Sequence, residues 1–495
     1  MNGLQEHINI EYNIDCHEFN YLSDVEHEFP IEENINFQRT LSVINKGRTG
    51  CGGTTLFMNT MFKRKERFVM AMPYVAAIKS KENDNTVAKN KVSFLYGDNN
   101  EFGSGDSIVC TYDKLPKVIE RIDTRTYHFI LDEYHTVARD NHWRDAMDYL
   151  NKRDLWMMQW KSVTIMSATP NGFANSITGH FDKVVTRNYM FKPFEVVFAK
   201  CYGKPVDTFI AQLRAGIHGG YRMERNYYIV LNSIKDIKRM ITKLGIQESS
   251  YYVMCSEARK DVKVTSPASI NGNYRKYNFL TSAAFEGCDI HDENGTIIAI
   301  VDPEKQNLAL PAESIVQAIG RLRCSNVPII ICNTDKVKDK RLAAKAVQHH
   351  LYVGGLESEC DGLNSMSESE LKEFLIEHRE EYESKVEKEN GKMVVCKSVL
   401  GEDERLKNHA KTYSSMDNFK AELAKYNVVQ VVRDGKEQIV ELTAPTITTK
   451  DGEPVKYLCQ YYDESWKSAW LSEYVVDKAI NESTTKFRKR NGWIR

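Results

Sequence analysis

The sequence has no excess of either charge, no paired-cysteine motif and no long apolar run. Its 495 residues include 67 Lys and Arg against 68 Asp and Glu, which gives a formal net charge of −1. A chain with balanced charge has no global positive field to hold a polyanion non-specifically. Any nucleic-acid site must therefore be local.

The eleven cysteines lie between Cys16 and Cys459, and no two of them form a CxxC pair. This irregular spacing favours free thiols in a reducing compartment over disulfides or a zinc site. The sequence also lacks an apolar segment of about 18 residues, which disfavours a membrane span. Its acidic first residues do not resemble a signal peptide. These absences predict a cytoplasmic protein with no membrane partner.

The chain does contain two successive series of short apolar runs separated by polar helical stretches. Its 42% hydrophobic and 27% charged content is typical of globular proteins, and its length predicts several domains. Alternation of this kind indicates parallel sheets covered by helices. The first series predicts strands at residues 41–44, 67–72, 92–96, 107–111, 127–131 and 162–166. The second predicts strands at 195–199, 227–231, 250–254, 277–280, 296–301 and 327–332.

After about residue 335 the chain becomes rich in charged helical stretches. Residues 367–389 predict a helix, since Ser367 and Glu370 fit a capping box and Asn390-Gly391 ends the run. We predict an N-terminal extension at 1–35, α/β domains at 36–190 and 191–340, and a mixed, helix-rich C-terminal accessory domain at 341–495.

A glycine-rich segment, KGRTGCGGTT at residues 46–55, follows the first predicted strand. Glycines let backbone N–H groups turn towards phosphate oxygens, and a helix beginning near Thr54 adds its positive end. Against the pattern G-x-x-x-x-G-K-[ST], Gly47, Gly52 and Thr54 match, but Gly53 stands where lysine belongs. A tightly packed turn is the alternative. The predicted phosphate loop comprises Gly47, Arg48, Thr49, Gly50, Cys51, Gly52, Gly53, Thr54 and Thr55.

Two carboxylates, Asp132 and Glu133, follow the predicted strand at 127–131. A buried strand that ends in an acidic pair brings both groups to the carboxyl edge of a parallel sheet. One carboxylate can hold Mg²⁺ while the next polarises an attacking water. The alternative is a helix N-terminus with favourable charges.

With Ser167-Ala168-Thr169 after the next strand, these segments resemble the superfamily 2 helicases of the DExH/DEAD kind. Residues 281–290 resemble the fifth motif of that family, and residues 317–323 resemble the sixth. The resemblance implies an α/β fold with two tandem RecA-like parallel-sheet domains, ATP in the cleft between them, and nucleic acid across their tops. It does not extend beyond residue 340. The loop ending in Thr-Thr also resembles that of helicase-like proteins of gut-bacterial phages, which implies a bacterial or phage-infected cell.

The resemblance implies a role for each matching residue. Thr54 and Asp132 would bind Mg²⁺, Glu133 would be the general base, and Arg321 would reach the γ-phosphate. The catalytic set would also contain Gln317 and Arg323. Nucleotide contacts would include Gly287 and Asp289, and coupling between the sites would use His135, Ser167, Ala168 and Thr169. Nucleic-acid contacts would come from Pro73, Thr111, Tyr112 and Thr281.

Simpler explanations remain for some of these residues. Thr111 and Tyr112 are also explained as ordinary strand residues, and His135 as a core histidine. The basic, aromatic segment at 486–493 either clamps a nucleic acid or is a solvated surface with packed aromatics.

The sequence departs from the family pattern at two positions. Gly53 removes a cation whose loss costs about 10²- to 10³-fold in rate, by analogy with other lost electrostatic donors. Either Arg48 or Lys46 replaces it, with Arg48 slightly favoured, or both face solvent. In the sixth motif the last arginine falls at Arg323, one residue before its expected place at Cys324.

These observations favour an ATP-dependent helicase or translocase with Mg²⁺ as cofactor. Its partner would be nucleic acid, DNA in preference to RNA, and the C-terminal domain is a candidate site for a protein partner. The alternatives are a nucleic-acid clamp that binds nucleotide with weakened catalysis, and a scaffold built on a decayed helicase fold.

Overall fold

A computed structural model of the chain describes residues 8–83, 91–103, 105–140, 145–201, 204–218, 225–255, 262–263, 265, 273–285, 290–305, 307–322, 327–332, 340–378, 382, 385–389, 391–433, 436–437 and 439–442. The chain divides into two compact units. Unit 1 combines Met1–Lys192 with Lys340–Lys411, and unit 2 combines Pro193–Asp339 with Thr412–Arg495.

Unit 1 contains an eight-stranded sheet, here called sheet 1, whose strands are all parallel. The strands are β1 Ile8–Cys16, β2 Thr40–Asn45, β3 Phe68–Met72, β4 Val92–Leu95, β5 Ser107–Thr111, β6 His128–Asp132, β7 Ser162–Ser167 and β8 Lys183–Phe191. Their order across the sheet is β1-β8-β2-β7-β6-β3-β5-β4. The helices are α1 Leu22–Val25, α2 Gly53–Arg64, α3 Val75–Asn83, α4 Leu115–Ile119, α5 His135–Asp140, α6 Asp145–Asn151, α7 Arg153–Met157 and α8 Phe173–Thr178.

The central strands of sheet 1 are buried because both faces are covered. Alternate residues of one strand pack into separate cores: Val69 lies in one cluster and Met70 in the other. All five residues of β3, β5 and β6 are buried. Strands buried on both faces are typical of parallel sheets, and this explains their continuous apolar sequences.

Unit 2 contains a second parallel sheet, here called sheet 2, with the order β11-β12-β10-β13-β14-β9-β17. Its strands before residue 340 are β9 Phe194–Cys201, β10 Asn226–Val230, β11 Tyr251–Met254, β12 Tyr277–Leu280, β13 Gly295–Val301 and β14 Ile329–Cys332. Its helices there are α9 Pro205–His218, α10 Ile234–Leu244 and α11 Ala312–Ile319. The predicted α/β fold with two tandem parallel-sheet domains is confirmed.

The region after residue 340 is divided between the two units. Unit 1 receives α12 Lys340–Asn364, α13 Glu368–Glu377, β15 Val386–Glu389, β16 Lys392–Val395 and most of α14 Lys397–Thr412. Unit 2 receives α15 Met416–Ala424, β17 Val428–Gln430, β18 Val432–Arg433, β19 Lys436–Glu437 and β20 Ile439–Leu442.

This division differs from the predicted domain boundaries. Residues after 340 fall in both units, and β17 and β20 pair with β9 in sheet 2. The predicted extension at 1–35 is likewise part of unit 1, because β1 pairs in parallel with β8 along its whole length.

The predicted helix at 367–389 is too long. Its start is confirmed, since Ser367 and Glu370 form the capping box. The helix α13 ends at Glu377, and residues 386–389 form β15, which pairs antiparallel with β16. Val386 packs there with Leu356 of α12 and Met393 of β16 in a small core. The burial of Val386 in this core explains why residues 386–389 form a strand and do not continue the helix.

Among the residues that the structure describes, no helix is both long and apolar enough to cross a membrane.

Candidate functional site

Polar residues meet at the carboxyl edge of sheet 1, where β2, β7 and β6 are neighbours. Asn45 at the end of β2 lies opposite Ser167 at the end of β7, and Asp132 at the end of β6 lies opposite Met166. The acidic pair at 132–133, the segment 167–169 and the phosphate loop therefore lie side by side at this edge. This is the edge at which parallel α/β sheets usually bind ligands.

The glycines of the phosphate loop adopt backbone conformations that favour glycine. Gly47, Gly50 and Gly52 have φ values of 67°, 68° and 82°. At Gly47 a β-carbon would lie 1.7 Å from the backbone oxygen of Tyr189 in β8. The loop must therefore pass against β8 with no side chain at position 47.

The loop leads directly into α2, which begins at Gly53. Its start is tied to the acidic pair, because the Thr54 hydroxyl donates to Asp132 Oδ2 at 2.7 Å. In the rest of the loop, Thr49 and Cys51 are buried, while Thr55 accepts a hydrogen bond from Lys81 Nζ at 3.1 Å. The N-terminus of α2 thus points into the same site as the carboxylates, which suits an anion.

Lys46 is buried between the two carboxylates. Its Nζ lies 3.1 Å from Asp132 Oδ1 and 2.6 Å from Glu133 Oε1, and its side chain is 6% exposed. Burial acts to lower the pKa of Lys46, but the negative charges of Asp132 and Glu133 outweigh that effect and raise it. The ammonium therefore stays charged, and the three side chains carry one net negative charge together.

Glu133 has a φ of 56°, which is unusual for a residue with a side chain. Its Oε2 lies 3.3 Å from His135 Nδ1, and the same nitrogen lies 2.9 Å from Ser167 Oγ. A protonated Nδ1 donates to Glu133, whereas an unprotonated one accepts from Ser167. Ser167 Oγ also accepts from the Thr169 backbone at 3.0 Å. The tautomer of His135 thus determines how Glu133 connects to residues 167–169, of which Ala168 is also buried.

Tyr112 does not lie on a surface that a nucleic acid could reach. Its side chain is fully buried in the core of unit 1, and its hydroxyl donates to the backbone oxygen of Asp132 at 2.5 Å. This hydrogen bond supports the end of β6, and contact of Tyr112 with nucleic acid stays a prediction that its burial disfavours. Pro73 and Thr111 are also buried, so their side chains offer no open contact surface.

The Arg48 guanidinium lies near Phe191 of β8. Its guanidinium carbon lies 6.0 Å from the centre of the Phe191 ring. Lys46 is the cation whose contacts with the acidic pair the structure shows, and the choice between Lys46 and Arg48 as the replacement cation stays a prediction.

In unit 2, two residues of the sixth motif contact each other. Gln317 and Arg321 are buried, and the Arg321 guanidinium donates to Gln317 Oε1 and to the backbone oxygen of Phe285. The other predicted residues of this part, Gly287, Asp289 and Arg323, lie outside the described residues.

Thr281 lines an open pocket of about 580 Å³ at the carboxyl edge of sheet 2. We call this the α10 pocket, because Ser233, Lys235 and Lys238 from the start of α10 line it too. Both lysines are exposed. A cationic pocket at a helix start suits the phosphates of a strand.

The oxygen atoms of Thr54 and Asp132 fit a magnesium site. Mg²⁺ is usually held by one or two carboxylates together with phosphates and water. In the described part of the chain, no cluster of three or more His, Cys, Asp or Glu side chains could hold a metal by itself. A metal here would therefore depend on oxygen atoms of the nucleotide.

Sequence reasoning missed several residues that support this edge. Asn45 accepts from the Tyr134 hydroxyl at 3.0 Å, and Asn171 donates to the His135 backbone oxygen at 2.7 Å. Leu22 of α1 donates its backbone N–H to the oxygen of Cys51 at 2.8 Å, which supports the loop from outside. Asn45 had a detectable signal, since it is a polar residue at the end of an apolar strand.

No protein-family model matches the chain, and no curated protein matches it in sequence. Several solved structures have a similar backbone path. Dbp5 of S. cerevisiae bound to RNA and ADP BeF3 is 13% identical over 63% of this chain and 83% of that chain, with a TM-score of 0.46. The DUF1998 helicase MrfA bound to DNA is 13% identical over 74% of this chain and 56% of that chain, with a TM-score of 0.43. A DEAD box protein from Methanococcus jannaschii is 17% identical over 63% and 87%, with a TM-score of 0.32. These distant likenesses do not assign a function, which must be argued from the site.

Proposed function

We propose that this protein hydrolyses ATP in response to nucleic acid and works as a helicase or translocase. One observation carries the proposal: Thr54, Asp132 and Glu133 converge beside a phosphate loop, with Lys46 buried among them. A structural ion pair needs neither the glycine-rich loop nor a helix start aimed at the carboxylates. Phosphate transfer uses both.

In the proposed reaction, Thr54 and Asp132 would hold Mg²⁺, and the bound ion would neutralise charge on the phosphates. Glu133 takes a proton from water as the water oxygen bonds to the γ-phosphorus. The bond from that phosphorus to the bridging oxygen breaks, and ADP leaves with the electron pair. Glu133 suits this role because it directly follows β6 at the carboxyl edge of sheet 1, and its carboxylate lies 3.3 Å from His135 Nδ1.

Arg321 and Gln317 have proposed roles in the same reaction. The resemblance of residues 317–323 to the sixth helicase motif supports an Arg321 contact with the γ-phosphate and a Gln317 contact with the attacking water. Arg321 would have to exchange its bonds to Gln317 and Phe285 for the phosphate. That exchange would link nucleotide binding to a change within unit 2.

We also propose that the α10 pocket contacts the sugar-phosphate backbone through Thr281 and its lysines. DNA is the proposed strand in preference to RNA, the proposed location is the cytoplasm of a bacterial or phage-infected cell, and a protein partner would bind through residues 341–495.

The test is steady-state ATP hydrolysis with Mg²⁺, measured with and without single-stranded DNA or RNA. Glu133→Gln should reduce turnover by about 10²- to 10⁴-fold while nucleotide binding remains, because the variant removes only the proton acceptor. Glu101→Gln is the matched control, since Glu101 is an exposed residue of the same unit. Turnover that is equal in the wild type and Glu133→Gln would refute the ATPase.

A nucleic-acid clamp without turnover is the second candidate, and the glycine at position 53 favours it. The clamp predicts nucleotide-dependent nucleic-acid binding with no hydrolysis above the Glu133→Gln background.

A further inference from the structure

The Lys46 side chain lies next to Gly53 in unit 1, close to where a side chain at position 53 would begin. A β-carbon at Gly53 would lie 3.0 Å from Cδ and 3.6 Å from Cγ of Lys46. The methylene chain of Lys46 therefore passes over the first residue of α2, in the space where a side chain at position 53 would begin. A lysine at position 53 would therefore crowd the observed Lys46 side chain, which would have to shift.

The backbone of Lys46 is fixed in this place. Its N–H donates to the backbone oxygen of Ser167 at 2.7 Å, which continues the β2–β7 ladder by one residue. From there the buried side chain reaches Asp132 and Glu133 from the β2 side, whereas a lysine at 53 would reach them from α2. Two different starting points on the chain thus bring an ammonium group to one place.

We propose that Lys46 takes over the role of the missing loop lysine and binds the terminal phosphates of the nucleotide, and that Gly53 is the change that makes room for it. This inference rests on the proposed function. Before nucleotide binds, the Lys46 ammonium offsets one of the two negative charges of the acidic pair. If Asp132 and Thr54 hold Mg²⁺, that ion would offset the carboxylate charge, and the Lys46 ammonium would be available to phosphate oxygens at the start of α2.

The experiment exchanges the two positions. The variants are Lys46→Met, Gly53→Lys, the double variant Lys46→Ala/Gly53→Lys and, at the other cation of the loop, Arg48→Met. Lys117→Met is the matched control, because Lys117 is an exposed lysine of the same unit. Two quantities are measured in each: steady-state ATP hydrolysis, and the affinity for a non-hydrolysable ATP analogue relative to ADP, both with Mg²⁺. Thermal unfolding of each variant identifies any loss of fold.

Lys46→Met should reduce turnover by about 10²- to 10³-fold and lose most of the preference for the triphosphate. Gly53→Lys alone should also lose activity, because two side chains compete for one volume. The double variant should recover at least about tenfold of the Lys46→Met loss, a gain that no general destabilisation would give. Lys117→Met should stay within about twofold to threefold of the wild type, and Arg48→Met should lose less turnover than Lys46→Met.

The proposal is overturned if Lys46→Met keeps wild-type turnover and triphosphate preference, or if the large loss appears in Arg48→Met instead. Failure of the double variant to recover, although folded, also overturns it. If the wild type binds the analogue but does not hydrolyse ATP, the proposed function fails. The binding measurements then still decide whether Lys46 holds the terminal phosphates.

Discussion

The carboxyl edges of the two sheets have similar architecture but different electrostatics. At sheet 1 the charges of Lys46, Asp132 and Glu133 are 6%, 2% and 14% exposed and lie within 3.1 Å of a partner. At sheet 2 the α10 pocket presents the exposed lysines Lys235 and Lys238. Buried charges interact strongly and are little affected by salt, whereas exposed ones are weak and screened.

This difference separates two kinds of phosphate recognition. A buried cluster fixes the position of a few atoms and suits a reaction that depends on geometry. An open cationic pocket suits a long polyanion, which gains affinity from several weak contacts that salt can reverse. The two sheets therefore divide the proposed work, with nucleotide chemistry at sheet 1 and strand binding at sheet 2.

The strongest test of the comparison concerns the rigidity of each edge. Gly47→Ala should lower the free energy of unfolding by about 3–5 kcal/mol, since it combines a positive φ with a clash against the Tyr189 backbone oxygen. Gly245→Ala in unit 2 is the matched control, because Gly245 has a φ of 62° and nothing within 4 Å of the added carbon. That variant should cost only about 1–2 kcal/mol. Chemical denaturation followed by circular dichroism measures both free energies of unfolding. Equal losses of stability would show that the phosphate loop is no more constrained than the exposed turn at Gly245.

The next test concerns the α10 pocket. Replacing Lys235 and Lys238 together by alanine should weaken single-stranded nucleic-acid binding by about 10- to 100-fold and reduce the salt dependence by about one to two ion equivalents. The affinity for nucleotide should not change, since both lysines lie in the other unit from the phosphate loop.

Lys243→Ala is the control for this test. Lys243 is also on α10, but it pairs with Asp207 at 3.5 Å and does not line the pocket. Affinity and salt dependence are measured by fluorescence anisotropy over a range of salt concentrations. Equal loss in the control would mean that only the net charge of α10 matters.

The sequence predicted the inner strands well and the outer ones poorly. All twelve predicted strands are present, because strands buried on both faces have continuous apolar sequences. Strand β1 was missed because it is an edge strand with mostly exposed residues. Strand β8 was missed because Thr186, Arg187 and Asn188 interrupt its apolar residues. Strands β17 and β20 join sheet 2 from more than 200 positions away along the chain, as with Val428 beside Phe194, and no local pattern encodes that pairing.

The site shows the same limit at the level of single side chains. Sequence spacing placed Thr54, Asp132 and Glu133 together, because parallel strands end at one edge. It favoured Arg48 over Lys46, since position in a motif does not give the direction of a side chain. The direction of the Lys46 side chain depends on the close packing of the loop against β8 at Gly47. It also depends on the absence of a side chain at Gly53.

Tyr112 provides the last and smallest test, because it asks whether a motif position belongs to the strand-binding surface or to the nucleotide edge. Tyr112→Phe removes one buried hydrogen bond to the Asp132 backbone oxygen and should cost about 1–2 kcal/mol of stability. Turnover should fall by up to about tenfold, because Asp132 and Glu133 lose a fixed support. Nucleic-acid affinity should be unchanged.

Tyr96→Phe is the control, since its hydroxyl also donates a 2.5 Å hydrogen bond, to Glu82, away from the acidic pair. Weaker nucleic-acid binding with normal turnover would mean that Tyr112 contacts nucleic acid. Strand binding would then not be confined to the edge of sheet 2.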